Sequence, residues 1–171
     1  MARRRRGRRS ARVGRTSARL RRVRNTGTAG RVANDETAWL YATTGLLVFN
    51  NVFAYNTRTD DVSGVYGSLY VMGTFQNNIV FKNESGVSYG SANIDYNLSY
   101  GNQRANFVNY GATLGEHNLE ADPRFHDPDA DDYSLDAFSP ALDAGNPASA
   151  YDDVDGSPND MGMYGGPSGS W

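Results

Sequence analysis

The carboxylates and basic side chains in the middle of the chain are the residues that could do acid–base chemistry. Asp60 or Asp61 could pair with Asp95, because glycosidic bonds are hydrolysed between two carboxyl groups. A site that abstracts a proton would need a base instead, for which Lys82 and Arg104 are the candidates. Asp95 and a further acid of this part of the chain, Glu84, fall near turns in different registers of the repeat described below. The spacing therefore predicts no column of carboxylates on one face, and no catalytic set here.

An acidic run near residue 130 is a candidate metal site. Asp127, Asp129 and Asp131 alternate along the chain, and carboxylate oxygens are ligands that Ca²⁺ prefers. A second acidic stretch fails the spacing of a regular calcium loop, because Tyr151 and Gly162 stand where acids are required. The sequence predicts at most an irregular Ca²⁺ site at the first run, with a solvated acidic loop as the alternative. No other cofactor is expected, and the chain has no cysteine for a thiolate site.

Two aromatic residues are the candidates for ligand binding. Phe53 and Tyr55 alternate along a strand-like segment, on the side that the repeat below assigns to solvent. Exposed aromatic rings on a long β-face can stack on sugar rings, so a contact with polysaccharide is predicted. The alternative is that the loop at residues 57–64 covers them. His117 occupies a turn position, and the sequence supports no Ser–His–Asp arrangement.

A six-residue pattern that recurs four times must position these residues. Each copy begins with an asparagine, and the intervals between the leading residues are 27, 19 and 21; the four are Asn51, Asn78, Asn97 and Asn118. Intervals of this size are typical of a solenoid, in which successive repeats stack. Stacked asparagine amides can hydrogen-bond to one another as a ladder. The alternative is four unrelated asparagine turns.

The residues after each asparagine alternate in character, which indicates a strand. Positions one and three residues later are mostly apolar and are predicted to face a core. Positions two and four residues later become polar and charged in successive copies and are predicted to face solvent. Strand-like apolar runs are found at residues 46–49, 65–72, 79–81 and 105–110, and no proline interrupts residues 32–121.

The net charge of −2 conceals two opposite parts of the chain. Residues 1–31 carry 13 arginines and no acid, whereas the rest carries 4 basic and 19 acidic side chains, which gives +13 and −15. The arginine-rich part has too few apolar residues to fold alone and is predicted to be disordered. It could bind nucleic acid through residues 3–24, or it could contact an acidic partner or a membrane surface. The third alternative is that this segment is not an evolved part of the protein, because the start was assigned upstream of the true coding frame. No signal peptide and no membrane span is predicted.

The C-terminal residues carry the most specific motifs. All six prolines lie within residues 122–171, where Ser139–Gly145 reads SPALDAG and Asp160–Pro167 reads DMGMYGGP. This ordered series resembles the C-terminal end of right-handed parallel β-helix proteins of the pectate-lyase-like superfamily, over about residues 40–167. The resemblance implies an all-β fold, a short right-handed parallel β-helix of about four coils with an irregular C-terminal cap. Asp143 and Asp160 read as turn residues that accept backbone N–H groups.

Three segments are therefore expected: an arginine-rich part at 1–31, coils at 32–121 and a cap over the last coil at 122–171. Proteins of this type usually have many more coils, so the chain is expected to be the C-terminal fragment of a larger protein. Further coils, a partner or a second copy would cover its N-terminal edge.

The expected function is that of a structural or carbohydrate-contacting segment without its own catalytic site. The alternatives are an incomplete polysaccharide lyase or hydrolase of the same superfamily, and a nucleic-acid binder. The resemblance implies a secreted or cell-surface location and leaves the ligand open.

Overall fold

The computed structural model describes residues 47–55, 69–71, 73–89, 93–109, 111 and 113–169. Strands dominate this part of the chain, and its helices are two short 3-10 turns, Pro128–Ala130 and Ser149–Tyr151. The protein is therefore of the all-β class, as the sequence predicts. The strands are β1 Leu47–Phe49, β2 Val52–Ala54, β3 Leu69–Val71, β4 Thr74–Gln76, β5 Ile79–Phe81, β6 Val87–Tyr89, β7 Asn93–Asp95, β8 Leu98–Tyr100, β9 Phe107–Asn109, β10 Phe125–Asp127 and β11 Asp132–Leu135.

Nine strands form three small parallel sheets, each of which takes every third strand. Sheet A contains β1, β4 and β7, sheet B contains β2, β5 and β8, and sheet C contains β3, β6 and β9. Each run of three consecutive strands, which we call a three-strand unit, therefore lies beside the next. Within sheet B, Val52 pairs with Ile79 and Ile79 with Leu98, which is the alignment that the asparagine repeat predicts.

The chain continues the pattern in part after the third unit. Isolated parallel bridges join Ile94 to Leu114 and Leu98 to Leu119, so sheets A and B each gain one further step. The remaining strands, β10 and β11, form an antiparallel pair that begins the C-terminal part. The predicted run at 65–72 corresponds to β3 and the run at 105–110 to β9, while β4, β6 and β7 are strands that the sequence did not single out.

Two apolar cores lie on opposite faces of sheet B. The inner core lies between the three sheets; its buried members are Val48, Phe75, Val80, Val87 and Ile94. The flank core lies on the other face and joins sheet B to the C-terminal part; it includes Val52, Ile79, Phe81, Leu98, Tyr133, Leu135, Ala141 and Met161. Because alternate residues of a strand point to opposite faces, Val80 belongs to the inner core and its neighbour Ile79 to the flank core.

The prediction that the second position after each ladder asparagine faces solvent holds for Glu120 and is wrong for the first three copies. Val80 and Ser99 occupy that position, and both are 0% exposed. Phe53, at the same position in the first unit, packs against the inner core. The change from valine to serine suggested exposure, but the Ser99 hydroxyl is satisfied internally: it donates to Asn106 O at 2.9 Å and accepts from Asn102 Nδ2 at 3.0 Å. Both faces of sheet B are therefore buried.

Residues 125–169, which we call the flank segment, lie along the side of sheet B. The sequence predicts a cap over the last repeat, whereas this segment reaches back to the first unit. The Asn50 side chain donates to Asp160 O at 2.9 Å and to Gly162 O at 3.2 Å. The Asn146 backbone N–H donates to Asn77 Oδ1 in the second unit at 2.8 Å. The apolar outer face of sheet B explains this course, because leaving it in water would cost about 25 cal/mol per Å².

Candidate functional site

The four ladder asparagines form one continuous hydrogen-bonded column. Nδ2 of each donates to Oδ1 of the next, at 3.0 Å from Asn51 to Asn78, 3.1 Å from Asn78 to Asn97 and 3.0 Å from Asn97 to Asn118. Each acceptor oxygen also receives the backbone N–H of the preceding asparagine, at 3.0 Å in all three steps. The column ties the three units and the partial fourth together through groups that are buried or partly buried.

The turns before the first three ladder asparagines direct those side chains inward. The residue that takes the left-handed conformation is the preceding one, with φ of 53° at Asn50, 58° at Asn77 and 55° at Tyr96. The ladder asparagines themselves do not have a positive φ. Asparagine tolerates positive φ better than most residues, which explains the first two positions.

The candidate catalytic residues do not come together in the described part of the chain. Asp95 lies before β8 and Lys82 follows β5, so they stand at opposite ends of the strands of sheet B. Lys82 places its ammonium 4.9 Å from the centre of the Phe81 ring, and Arg104 pairs with Glu84 at 2.8 Å. Asp60 and Asp61 lie outside the described residues. The pairing of Asp60 or Asp61 with Asp95 therefore stays a prediction, while Lys82 and Arg104 make separate contacts.

Asp95 instead pairs with His117, a contact that the sequence interpretation missed. Asp95 Oδ2 lies 3.0 Å from His117 Nδ1, and Asp95 Oδ1 accepts the backbone N–H of His117 at 3.0 Å. The imidazole stacks on Tyr96, with ring centres 4.4 Å apart and planes 3° apart. The carboxylate orients the ring, because a histidine nitrogen facing a carboxylate is held as the donor. The register could have revealed the stacking of Tyr96 on His117, since these two residues directly precede Asn97 and Asn118.

Each of the three candidate calcium ligands accepts a hydrogen bond from another residue of the chain. Asp127 Oδ1 accepts from Ala130 N at 3.3 Å, and Asp129 Oδ1 accepts from the Tyr55 hydroxyl at 2.7 Å. Asp131 has a φ of 62° and ends the first 3-10 turn. Across the described residues, no group of three or more histidine, aspartate or glutamate side chains is arranged to hold a metal ion. The predicted calcium site therefore gains no support from the geometry.

The two candidate binding aromatics differ in their surroundings. Phe53 faces the inner core, with its ring centre 5.7 Å from that of Phe75, so the prediction that it faces outward is wrong. Tyr55 is half-buried, meets Phe81 edge-on at 5.8 Å and donates to Asp129. Carbohydrate binding at these residues stays a prediction, and the loop at 57–64 lies outside the described residues.

A row of paired side chains lies at the end of sheet A strands β1, β4 and β7. Phe49, Gln76 and Asp95 are register partners in those three strands, so they stand side by side at about the 4.8 Å spacing of neighbouring strands. Each is met by a side chain from elsewhere in the chain. We call these six residues the sheet A row; the pairs are Phe49 with Tyr151, Gln76 with Asn146 and Asp95 with His117.

Buried carboxylates lie where the flank segment meets the first unit. Asp160 is 6% exposed and its Oδ1 accepts the backbone N–H of Asp143 at 2.8 Å, as the sequence predicts for a turn residue. Asp153 accepts the N–H groups of Asp160 and Gly166. Burial, reinforced by the nearby Asp153 and Asp143 carboxylates, raises the pKa of Asp160 to about 6. Burial also raises the pKa of Asp153.

Replacing Asp160 by asparagine should stabilise the protein at neutral pH. The pKa of this group is raised on folding from 3.8, so between about pH 4 and pH 6 the folded protein binds more protons than the unfolded chain. Stability contributed by Asp160 is therefore lost as the pH rises through that window. Asparagine keeps the acceptor for Asp143 N–H without the charge. The free energy of unfolding at pH 7.5 should rise by about 1 kcal/mol, less than the full shift would give because some solvent screening remains.

Urea unfolding at pH values from 4 to 8 measures this effect. The Asp160→Asn protein should show a shallower dependence of stability on pH between 4 and 6 than the wild type. Glu116→Gln is the matched control, because it makes the same charge change at an exposed position. An unchanged pH profile in the Asp160 variant would show that this carboxylate is not the group responsible.

Comparison of the chain with protein-family models, with curated proteins and with solved structures returned no match. In the described part of the chain, no helix is long and apolar enough to cross a membrane. Residues 3–24, the predicted nucleic-acid-binding arm, lie outside the described residues. What the described residues define is the class: an all-β protein built from three-strand units joined by an asparagine column.

Proposed function

We propose that this chain is a short right-handed parallel β-helix that acts as a structural segment without a catalytic site. The strand order A, B, C, repeated three times with parallel pairing inside each sheet, supports the coil arrangement. The isolated bridges at Leu114 and Leu119 support a partial fourth coil. The C-terminal motifs that resemble pectate-lyase-like proteins support the same assignment.

The asparagine column is the observation that carries the structural role. It passes through every unit, and each step uses buried or partly buried amides to bond both the next side chain and the backbone. Asn97 Nδ2, for example, also donates to Phe75 O at 2.8 Å and to Asp95 O at 2.9 Å. A polar column of this kind rigidifies a stack, because every buried donor has an acceptor. Among the described residues, the acid–base candidates are spread over separate turns instead of converging.

Engineered disulfides test the coil arrangement directly, because the native chain contains no cysteine. Leu47 and Thr74 are register partners in neighbouring strands of sheet A, and Thr74 is in turn the partner of Asn93. A Leu47→Cys/Thr74→Cys protein should form an intramolecular disulfide on mild oxidation, since the Cα atoms of register partners in neighbouring strands are close enough for a disulfide to join them. Leu47→Cys/Asn93→Cys is the control, because two strand spacings are too far. Equal cross-linking of both pairs would refute the arrangement.

An assay for turnover tests the absence of catalysis. The protein should release neither unsaturated products nor new reducing ends from polygalacturonate, alginate or xylan. Asp95→Asn and His117→Gln serve as the reference variants, since these two residues form the acid–base pair that the described geometry contains. Turnover by the wild type that either variant abolishes would replace the structural proposal with the enzyme alternative.

A further inference from the structure

Two asparagines stand in the three-residue sequence that directs N-linked glycosylation. That sequence is asparagine, then any residue except proline, then serine or threonine, and it occurs in this chain at residues 83–85 (NES) and 97–99 (NLS). Such a sequence normally marks an exposed loop, because the attached sugar is bulky and needs solvent. Here both asparagines are buried: Asn83 is 1% exposed and Asn97 is 0% exposed.

The asparagine column uses the whole amide group of Asn97. Its Nδ2 donates to Asn118 Oδ1 at 3.0 Å, to Phe75 O at 2.8 Å and to Asp95 O at 2.9 Å. Glycosylation would replace one of the two amide hydrogens by the first carbon of a sugar, about 1.5 Å from the nitrogen. That carbon and its ring would need the space that these acceptor oxygens occupy. The folded column therefore leaves no room for a sugar on Asn97.

Asn83 belongs to a second, shorter asparagine column at the other end of the sheet B strands. Its Nδ2 donates to Asn102 Oδ1 at 3.1 Å and to Phe53 O at 3.0 Å, and its backbone N–H donates to the same Asn102 oxygen at 2.9 Å. Phe53 in turn packs against the inner core. A sugar on Asn83 would have to displace either strand β2 or the turn that carries Asn102.

The serines that complete the two sequences are also buried. Ser85 is 4% exposed and Ser99 is 0% exposed. A glycosyltransferase must hold the whole three-residue sequence in its active site, because the reacting atoms have to be aligned. The folded protein can present neither sequence in this way. The unfolded chain can present both, since the columns form only when the three-strand units stack.

We propose that Asn83 and Asn97 accept an N-linked sugar only while the chain is unfolded, and that a sugar at either residue prevents folding. The sugar donor is a sugar carried on a diphosphate. In the transfer, the amide nitrogen forms a bond to C1 of the sugar, the bond from C1 to the diphosphate oxygen breaks, the diphosphate leaves with that electron pair, and one amide proton is released. This inference rests on the two asparagine columns and not on the structural role proposed above.

The inference restricts the routes by which the chain can reach its folded state. A route that glycosylates chains before they fold would deliver this protein unfolded. A route in which folding comes first would deliver it folded and unmodified, because burial then protects both asparagines.

Cell-free synthesis tests the order of the two events. The probe is UDP-glucose with a soluble transferase that attaches one glucose to asparagine in this three-residue sequence. If the probe is added before synthesis, both asparagines should be modified and the glucosylated chains should be found in the aggregated fraction. If it is added after synthesis, the soluble protein should carry no glucose at either residue. Mass spectrometry of proteolytic fragments locates the glucose, and circular dichroism verifies the folded state.

Two variants control for the action of the transferase on this protein. Asp132→Asn completes an acceptor sequence at residues 132–134 in an exposed position, so the folded variant should be modified there. Met161→Asp places a charge in the flank core and is expected not to fold, so it should be modified at both natural sequences whichever order is used. The inference is wrong if folded wild-type protein carries glucose at Asn83 or Asn97, or if the unfolded Met161→Asp chain is modified at neither.

Refolding tests the second half of the proposal. Glucosylated chains from the aggregated fraction are dissolved in urea and diluted, beside unmodified protein taken through the same steps. The unmodified protein should regain its circular dichroism spectrum, and the glucosylated chains should not. Equal recovery of the two would show that the sugar does not prevent folding.

Discussion

Replacing Asn78 by alanine should lower the free energy of unfolding by more than about 3 kcal/mol. Asn78 is 0% exposed, and its Oδ1 accepts from both Asn51 N and Asn51 Nδ2 at 3.0 Å. Its Nδ2 donates to Val48 O, to Gln76 O and to Asn97 Oδ1. Alanine would remove all of these bonds, although Asn51 Nδ2 keeps its bond to Phe49 O and Asn97 Oδ1 keeps the backbone N–H of residue 78. Each group that is left unsatisfied costs about 1–3 kcal/mol. Since domains are stable by only about 5–15 kcal/mol, the loss is a large part of the total.

Urea unfolding followed by circular dichroism measures the loss. Asn93→Ala is the matched control, because Asn93 is an exposed asparagine in strand β7 and its removal should change stability by less than about 0.5 kcal/mol. Asn78→Asp keeps the acceptor but removes the donors and buries a charge, so it should destabilise the protein at neutral pH at least as strongly as alanine. Equal stability of the Asn78 and Asn93 alanine variants would mean that the column contributes nothing to the fold.

The column could be found in the sequence because its residue type repeats at one position of every unit. Asn51, Asn78 and Asn97 mark the register, and the aliphatic residues that follow them pair as that register requires. Whether each position is buried or exposed could not be predicted in the same way. Alternation shows that Ile79 and Val80 point to opposite sides, but not that both sides are buried. The Val80 side, wrongly predicted to face solvent, is enclosed by the three sheets, and the flank segment covers the Ile79 side. The contacts of that segment join residues about 110 positions apart, such as Asn50 and Asp160.

The candidate sites were harder to predict for a related reason. The sequence does not show which group a carboxylate contacts. The role of Asp95 could therefore be predicted only from its spacing to other acids along the chain. Its actual partner, His117, is 22 residues away and reaches it through the stacking of two turns. The sheet A row also depends on Tyr151 and Asn146, which the flank segment brings to strands β1 and β4. Local patterns contain no information about such contacts.

Replacing Met161 by aspartate should abolish or nearly abolish the folded state. Met161 is 1% exposed in the flank core, and its backbone N–H donates to Ala141 O at 2.9 Å. The next residue, Gly162, lies so close to sheet B that an added Cβ would be 2.8 Å from Ile79 Cδ1. A carboxylate placed here has neither water nor an opposite charge, and an unpaired buried ion costs several kcal/mol. Displacing the flank segment to hydrate it would expose the apolar outer face of sheet B, which favours aggregation.

Val154→Asp provides the matched control, because Val154 belongs to the same flank segment and is 69% exposed. It should leave stability within about 0.5 kcal/mol of the wild type. Met161→Ala gives the intermediate case, in which only packing is lost, and should cost about 2–5 kcal/mol. The loss of stability should therefore be largest for Met161→Asp, intermediate for Met161→Ala and smallest for Val154→Asp, as measured by urea unfolding and by the soluble fraction on expression. That order would show that packing of the flank segment against sheet B stabilises the fold. If Met161→Asp is as stable as Val154→Asp, the flank segment separates freely from sheet B and the flank core does not stabilise the fold.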